Sequence, residues 1–387
     1  MSTQLTHIIG TFLIQAEGAF LNGSGTESYG QGDITIPKTF QTLNDKGFQV
    51  PIPYVSSQSW KRWLRDTFIE ENQLHIKPNP ILTTDVNRAG NTNKVGAEVN
   101  PVEFAEADIF GFMKAEKGQG KTIKEVIQDE DEMETEDESN EPKGKEKVKP
   151  AIRTSPFQSS ILISLRKTGW EGIDNGYVHP KGLSEELAKK NPNANPTPLP
   201  YNTKFYDTQL QGMFGLAYHR LGVFRCEGDR IELLPEYQEQ YKNDLDIEET
   251  KTGGNIFRMK NNPRKERATK ILKALAIMRG GAKQAQFGTP VHPQVLIVAG
   301  LSCGNLIFNN LFEDTSKGPK IKIETLEEII KDFSERIVTK VYIGIRTGYL
   351  HPENEEQLKE WAASKKEKIV ICTPIEAANK VTEGLPV

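Results

Sequence analysis

Residues 116 to 150 read EKGQGKTIKEVIQDEDEMETEDESNEPKGKEKVKP, and no packed core can be built from them. The stretch is polar, blocked in charge and poor in large apolar side chains, so it buries too little surface to offset the entropy of ordering it. It predicts a disordered insertion whose flanks project from the core, because a structureless loop of this length is uncommon inside a domain. Any fold must therefore be assembled from the segments on either side. The insertion also distorts the charge balance. Its run 129 to 141, DEDEMETEDESNE, holds nine acids and no base, and taking those nine charges away from the formal net of −4 leaves +5 on the remainder. GQGKT inside the insertion imitates a phosphate-binding loop, but the first glycine of that motif would fall on Ala115, so no nucleotide site is expected there.

Before the insertion, LTHIIGTFLIQA at 5 to 16 reads as a strand, and ITIPKTFQTLNDKGFQVPIPYV reads as two strands around a turn near 44 to 47. A helix follows in SSQSWKRWLRDTF, with Ser56 or Ser57 placed to accept from the free amides of its first turn. At 100° per residue Trp60, Trp63, Leu64, Thr67 and Phe68 share one side, and Lys61, Arg62 and Arg65 share another. One side can be core. The cationic side is either a solvated face or a phosphate-binding one.

After the insertion, SILISLRKTGW and TQLQGMFGLAYHRLGVFR read as strands, with the loop NPNANPTPLP between them. Residues 226 to 262 are charged and read as irregular. A helix is expected from about Lys265 to Arg279, burying Ile271, Leu272, Leu275 and Met278, exposing Lys270 and Lys273, and ending at RGGAKQAQFG. The remainder alternates strand and helix: PQVLIVAGL, ETLEEIIKDFSERI, TKVYIGIR, ENEEQLKEWAASK and KIVICTP. This order is an α+β pattern.

The apolar runs are too short to cross a bilayer, and the first residues lack the basic and cleavage features of a signal peptide, so a cytoplasmic location is expected. Cys226, Cys303 and Cys372 are too widely spaced for a disulfide framework or a structural zinc site and read as buried thiols. The six histidines form no HExxH pair, so neither a metal nor a cofactor is expected. Gly300, Ser302 and Gly304 match the G-x-S-x-G nucleophile elbow, with Asp332 or Glu335 and then His351 downstream. The alternating strand-helix units and oxyanion segment of a hydrolase are missing, so this reads as a glycine-containing strand end. The remaining clusters are cationic: Lys61, Arg62 and Arg65; Arg264, Lys265, Arg267, Lys270 and Lys273; and Arg279, Gly280, Gly281, Lys283 and Gln284. Glycines let a backbone approach a phosphate closely, although a glycine turn after a helix is also an ordinary C-cap.

The strand IIGTFLIQAEGAFLNGSG, the segment IPYVSSQSWKRWLRD, the run PYNTKFYDTQLQGMFGLAYHRLGVF and the helix-plus-loop ILKALAIMRGGAKQAQFGTP, in that order, resemble the Cascade backbone subunit of type I CRISPR systems, in the DevR-like branch of type I-B. The resemblance spans most of residues 5 to 300, leaving out the acidic insertion and 226 to 262. It implies an RNA-recognition-motif-like palm, an antiparallel sheet with helices, carrying finger and thumb insertions. The implied boundaries are palm 1–68, a finger-like insertion 69–205, a palm strand 206–225, a thumb-like insertion 226–262, and the rest of the palm with C-terminal α/β elements at 263–387.

The resemblance further implies a non-catalytic protein that stacks head to tail with copies of itself along a guide CRISPR RNA. It would grip phosphates, leave bases free to pair with target DNA, and contact other Cascade subunits. The implied RNA-binding residues are Asn22 (equally readable as a turn residue), Lys61, Arg62, Arg65, Arg264, Arg267, Lys270, Arg279, Gly280, Gly281, Lys283 and Gln284. Phe257, Arg258 and Met259 are the implied thumb tip. Related type III backbone subunits cut RNA with a loop aspartate, for which Asp85 is the candidate here.

Overall fold

The computed structural model describes residues 4–30, 32–44, 46–79, 82–86, 92–114, 151–228 and 230–386. The acidic insertion and the side chain of Asp85 lie outside the described residues. The chain divides into two compact units, one formed by 1–76, 157–221 and 264–387, the other by 77–156 and 222–263.

In the first unit the strands of the main sheet are β1 (His7–Ala19), β2 (Gly23–Tyr29), β3 (Gly32–Pro37), β4 (Thr39–Leu43), β5 (Gln49–Val55), β6 (Phe157–Ser159), β7 (Leu162–Ser164), β8 (Glu171–Val178), β9 (Leu199–Leu216), β10 (Val295–Leu301), β11 (Val341–Ile345) and β12 (Ile369–Cys372). The helices are α1 (Ser57–Glu71), α2 (Glu185–Lys190), α3 (Arg264–Ala276), α4 (Gln284–Phe287), α5 (Ile323–Asp332), α6 (Pro352–Ala363) and α7 (Pro374–Glu383). The main sheet runs β12-β11-β10-β1-β9-β7-β5-β4, with β6, β8 and β3 also pairing along β9. Its centre, β10-β1-β9-β7, is antiparallel and follows the strand-helix-strand, strand-helix-strand order of an RNA-recognition-motif-like palm, with α1 after β1 and α3 after β9. The expected α+β class is the observed one.

β1 is buried on both faces, which is why its sequence is a continuous apolar run rather than an alternating one. On one face Phe12 meets the indole of Trp60 edge-on at 5.4 Å, and Phe157 stacks on Phe214 at 5.9 Å. Burying a phenylalanine of this kind contributes about 1.5–3 kcal/mol. On the other face Ile9 and Leu13 join Phe308, Leu311, Leu326 and Leu358 from the C-terminal layer. The helix starts where its serines place it: Ser56 Oγ accepts from Ser59 N–H, and Trp60, Leu64, Thr67 and Phe68 are buried. The turn at 44 to 47 is also present, with Asn44 Oδ1 accepting from the amides of Lys46 and Phe48.

Three elements depart from the sequence reading here. β9 begins at Leu199, inside the segment assigned to the finger, and pairs with β8 to make an exposed ribbon before entering the sheet. Residues 218–220 form a 3-10 turn between strands. The final helix α7 was not expected; Thr373 and Glu376 form a capping box at its start.

The second unit contains a six-stranded sheet ordered Leu245–Glu249, Asn255–Met259, Val223–Glu227, Arg230–Ile231, Ala151–Arg153 and Phe112–Lys114. Residues 226 to 262 are therefore ordered strands and a short helix, Pro235–Gln240, not irregular chain. Phe224, Leu233, Leu245 and Phe257 form its apolar core. Below them Arg153, with no exposed side-chain surface, pairs with Asp108 and at 2.8 Å with Glu232. No helix among the described residues is long and apolar enough to cross a membrane.

Candidate nucleic-acid interface

The first unit brings the glycine turn after α3, the turn after β1 and the ribbon β8-β9 together. Gly280 and Gly281 have φ of 143° and 107°, which strains any residue with a Cβ. The turn also needs their missing side chains: a Cβ on Gly280 would lie 2.4 Å from Trp63 Cγ, and one on Gly281 2.6 Å from Leu21 Cδ2. Ala282 N–H donates to Leu21 O at 2.8 Å, tying this turn to the one after β1. Gln284 Nε2 closes it by donating to Gly280 O at 2.6 Å.

Lys283 follows in the left-handed region at φ 50°. Its Nζ donates to Thr203 Oγ1 at 2.7 Å and sits 5.0 Å from the centre of the Phe20 ring. Burial pushes its pKa down, opposed by the more distant Asp174. No carboxylate reaches ion-pair distance of it among the described residues. Beside it Asn22 is 7% exposed, and both its Oδ1 and its Nδ2 are buried without a hydrogen-bond partner. A buried amide in that condition costs on the order of 1–3 kcal/mol until something pairs with it. Gln286 Nε2 donates to Asp174 Oδ2 at 2.7 Å, and Phe287 lies 5.8 Å from Phe205, so α4 seats on the ribbon face that carries Thr203.

The sequence-predicted cations do not form one cluster. Arg279 leaves the turn toward α1, where it pairs with Glu70 at 3.0 Å and Glu71 at 2.7 Å, while Thr67 Oγ1 accepts from its backbone N–H. The two carboxylates push its pKa up and already neutralise it. Lys61 and Arg65 lie on the opposite flank of α1 from Trp63, about 160° away around the axis for Lys61. Lys61 is half-buried; burial lowers its pKa, and no carboxylate is within ion-pair distance of it among the described residues. Arg62 is exposed and paired with Asp66 one turn on at 2.8 Å.

One placement on α3, that of Arg267, corrects the sequence reading. Arg267 is 6% exposed, on the stripe that buries Ala268, Ile271 and Leu275, so it is not an outward phosphate contact. Arg264 stacks 5.6 Å from the Tyr218 ring at the other end of α3, about 20 Å from the glycine turn at 1.5 Å per residue. Lys270 is paired with Glu266. In the second unit Phe257 is 3% exposed and belongs to the apolar core, which rules it out as a protruding tip; Met259 packs on the same core, and Arg258 pairs with Glu248 at 3.3 Å. Exposed apolar side chains occur on the ribbon, at Tyr177, Val178, Leu199 and Tyr201, and in the second unit at Met113 and Ile247.

Ser302 follows β10, a strand antiparallel to both its neighbours, and no helix follows it directly. It is absent from the positive-φ residues, whereas an elbow holds its serine in a strained turn. Its Oγ is buried without a partner, and no hydrogen bond joins it to His351, Asp332 or Glu335. Cys226, Cys303 and Cys372 are free and half-buried.

Neither a protein-family model nor a curated protein matches the chain. Among solved structures it is similar to a chain of a "CRISPR RNA-guided surveillance complex", at 10% identity, covering 92% of this chain and 100% of that one with a TM-score of 0.43. It is also similar to a chain of a "CRISPR RNA-guided surveillance complex, pre-nicking", at 9% identity, covering 98% and 100% with a TM-score of 0.45.

Proposed function

We propose that this protein is a non-catalytic, RNA-binding backbone subunit of a CRISPR surveillance complex, of the type I Cascade kind and its DevR-like branch. It stacks head to tail along the guide RNA and leaves the bases free to pair with target DNA. The motif order resembles that family, and the observation that carries the reading is the turn at 279–284. Two glycines press the backbone onto Trp63 and Leu21, and next to them stand a partly buried lysine and a buried amide, the first with no carboxylate at ion-pair distance and the second with no hydrogen-bond partner among the described residues. A phosphodiester supplies what both lack: charge for Lys283 and hydrogen-bonding atoms for Asn22. A single strand crossing the exposed crest of α1 meets Lys61 and Arg65 on the other flank.

The ribbon β8-β9, and not 226–262, takes the role of the thumb in this reading, because it is exposed, carries a group of four exposed apolar side chains and is anchored at the turn through Thr203 and Asp174. Purification of the chain from its host followed by sequencing of bound RNA tests the proposal. Guide-length CRISPR transcripts are expected in the wild type and reduced with Lys283→Ala. Bound RNA of random origin would sink it.

A further inference from the structure

The sheet face opposite α1 changes character along β1. Ile9 and Leu13 pack in the C-terminal apolar layer, but the next side chains on that face are Gln15 and Glu17. The change continues onto β9 and reaches the ends of β10 and β11. Gln209 of β9 is directly opposite Gln15, Gln294 N–H donates to Leu13 O, and Arg346 N–H donates to Gln294 O at 3.0 Å. Gln15 and Gln209 therefore share this face, and Gln294 and Arg346, each one residue beyond Val295 or Ile345, border it at the end of the sheet, where Arg346 also borders a cavity with Met278 and His292. Above them the apolar layer gives way to a cavity of about 420 Å³, roofed by the loops at 315–319 and 346–349.

The polar groups in this cavity are set in place. Tyr349 donates to Gln209 Oε1, and burial, with Glu17 and Asp314 nearby, pushes the phenol far above its ordinary pKa, so it remains a donor. Gln15 Nε2 holds Glu17, the one acid on the lining, at 2.6 Å. Arg166 is paired with Asp314 at 3.1 Å and also donates to Asp207 O. Lys317 and Arg346 have no carboxylate within ion-pair distance among the described residues, so the lining carries an uncompensated positive charge. Gly318 at φ 110° and Gly348 at φ 79° shape the two loops. A second trough of about 980 Å³ continues from it, sharing Arg166, Thr315 and Ser316 and adding Lys167 and Lys322.

We infer that this cavity is a second site, on the opposite face of the sheet from α1, and that it takes a nucleoside phosphate. Lys317 and Arg346 receive the phosphate, and the glutamine amides, each both donor and acceptor, meet the edge of the heterocycle. Its size is that of small-ligand sites, and two cations without an ion-pair partner among the described residues, on the rim of a polar floor, favour an anion with a hydrogen-bonding body over an apolar ligand. The phosphate can belong to a free nucleotide or to one residue of a strand entering by the trough. The inference does not depend on the guide-binding reading, since no residue of the glycine turn or of α1 lines this cavity.

Titration of the purified full chain with adenosine 5′-monophosphate, inorganic phosphate and a short 5′-phosphorylated RNA tests it. Adenosine monophosphate is expected to bind the wild type more tightly than phosphate, and at least tenfold more weakly after Lys317→Ala or Arg346→Gln. Lys61→Ala and Lys283→Ala should leave that affinity unchanged. Displacement of the nucleotide by the RNA identifies a strand as the source of the phosphate, and its failure identifies a free nucleotide; either supports the site. Absence of nucleotide binding at millimolar concentration, affinity no better than that of phosphate, or affinity indifferent to both substitutions overturns it. Lys317 is exposed, so its variant carries the test if Arg346→Gln does not fold.

Discussion

Gly280 lies against the indole of Trp63, so close that a methyl group on the glycine would fall 2.4 Å from the ring. The contact joins two segments more than 200 residues apart and fixes where the turn stands over α1. Gly280→Ala adds that clash to a φ of 143°, a combination costing about 1–3 kcal/mol. A lower melting temperature together with weakened RNA binding is expected; a variant that melts and binds like the wild type would falsify the role given to this contact.

Cations already satisfied within the protein should matter less than those that are not. Lys283→Ala and Lys61→Ala should each weaken RNA binding and reduce the slope of log K against log salt by about one phosphate contact. Arg62→Ala removes only an exposed pair with Asp66, worth about 0.3–0.5 kcal/mol, and should change the slope little. Equal slopes for all three variants would contradict this ranking.

Glu70 and Glu71 hold Arg279 beside the turn. Replacing both with glutamine releases the guanidinium and removes two negative charges from the rim. RNA affinity should rise and its salt dependence steepen, while Arg279→Ala should lower affinity by uncovering both carboxylates. Filter binding at two salt concentrations reads the sign of each effect.

In the second unit Arg153 compensates two buried acids. Arg153→Ala removes the buried guanidinium that pairs with both Asp108 and Glu232 and leaves Glu232 to the more exposed Arg230, and breaking such a buried pair costs about 3–5 kcal/mol. Loss of the unit's protection in hydrogen exchange is the expected outcome. Protection at wild-type level in the strand Val223–Glu227 would refute it.

His7 has its pKa lowered to about 4 by burial, with His219 and Arg220 adding to the effect. An unfolded chain takes up the proton near the ordinary 6.5, whereas the folded one does not until about 4. The stability present above pH 6.5 is therefore lost as pH falls through that window. His7→Gln should flatten the fall in melting temperature between those two pH values.

Legibility from sequence followed periodicity and distance along the chain. β1, the cap on Ser56, the turn at Asn44, helix α3 and the C-terminal alternation each leave a local pattern, and each is present. Helix α7 had a signal, Thr373-Pro-Ile-Glu376, that went unread. Arg267 also had one: it is four residues before Ile271, on the stripe of the helix that is buried. Strand Leu245–Glu249 had almost none, because a single buried leucine ahead of four exposed residues has no detectable period. Phe257 was misplaced for a related reason, since a lone aromatic in a polar segment looks like a protruding tip until its partner Phe224 is known. The pairing of Arg279 with Glu70 and Glu71, and the placement of Gln15 opposite Gln209, depend on contacts that only the folded chain creates.

β9 runs without interruption from Leu199 in the ribbon to Leu216 in the core, 18 residues on one backbone. Side chains on such a strand alternate with a period of two, so the core dictates which way every residue of the ribbon faces. Loss or gain of one residue between Thr203 and the sheet would rotate that threonine away from Lys283 and turn the opposite row of side chains toward the glycine turn. A change of two would leave the facing intact. The ribbon's length can thus drift only by even steps, a parity constraint that any lineage of this protein must obey to keep its turn and its ribbon in step.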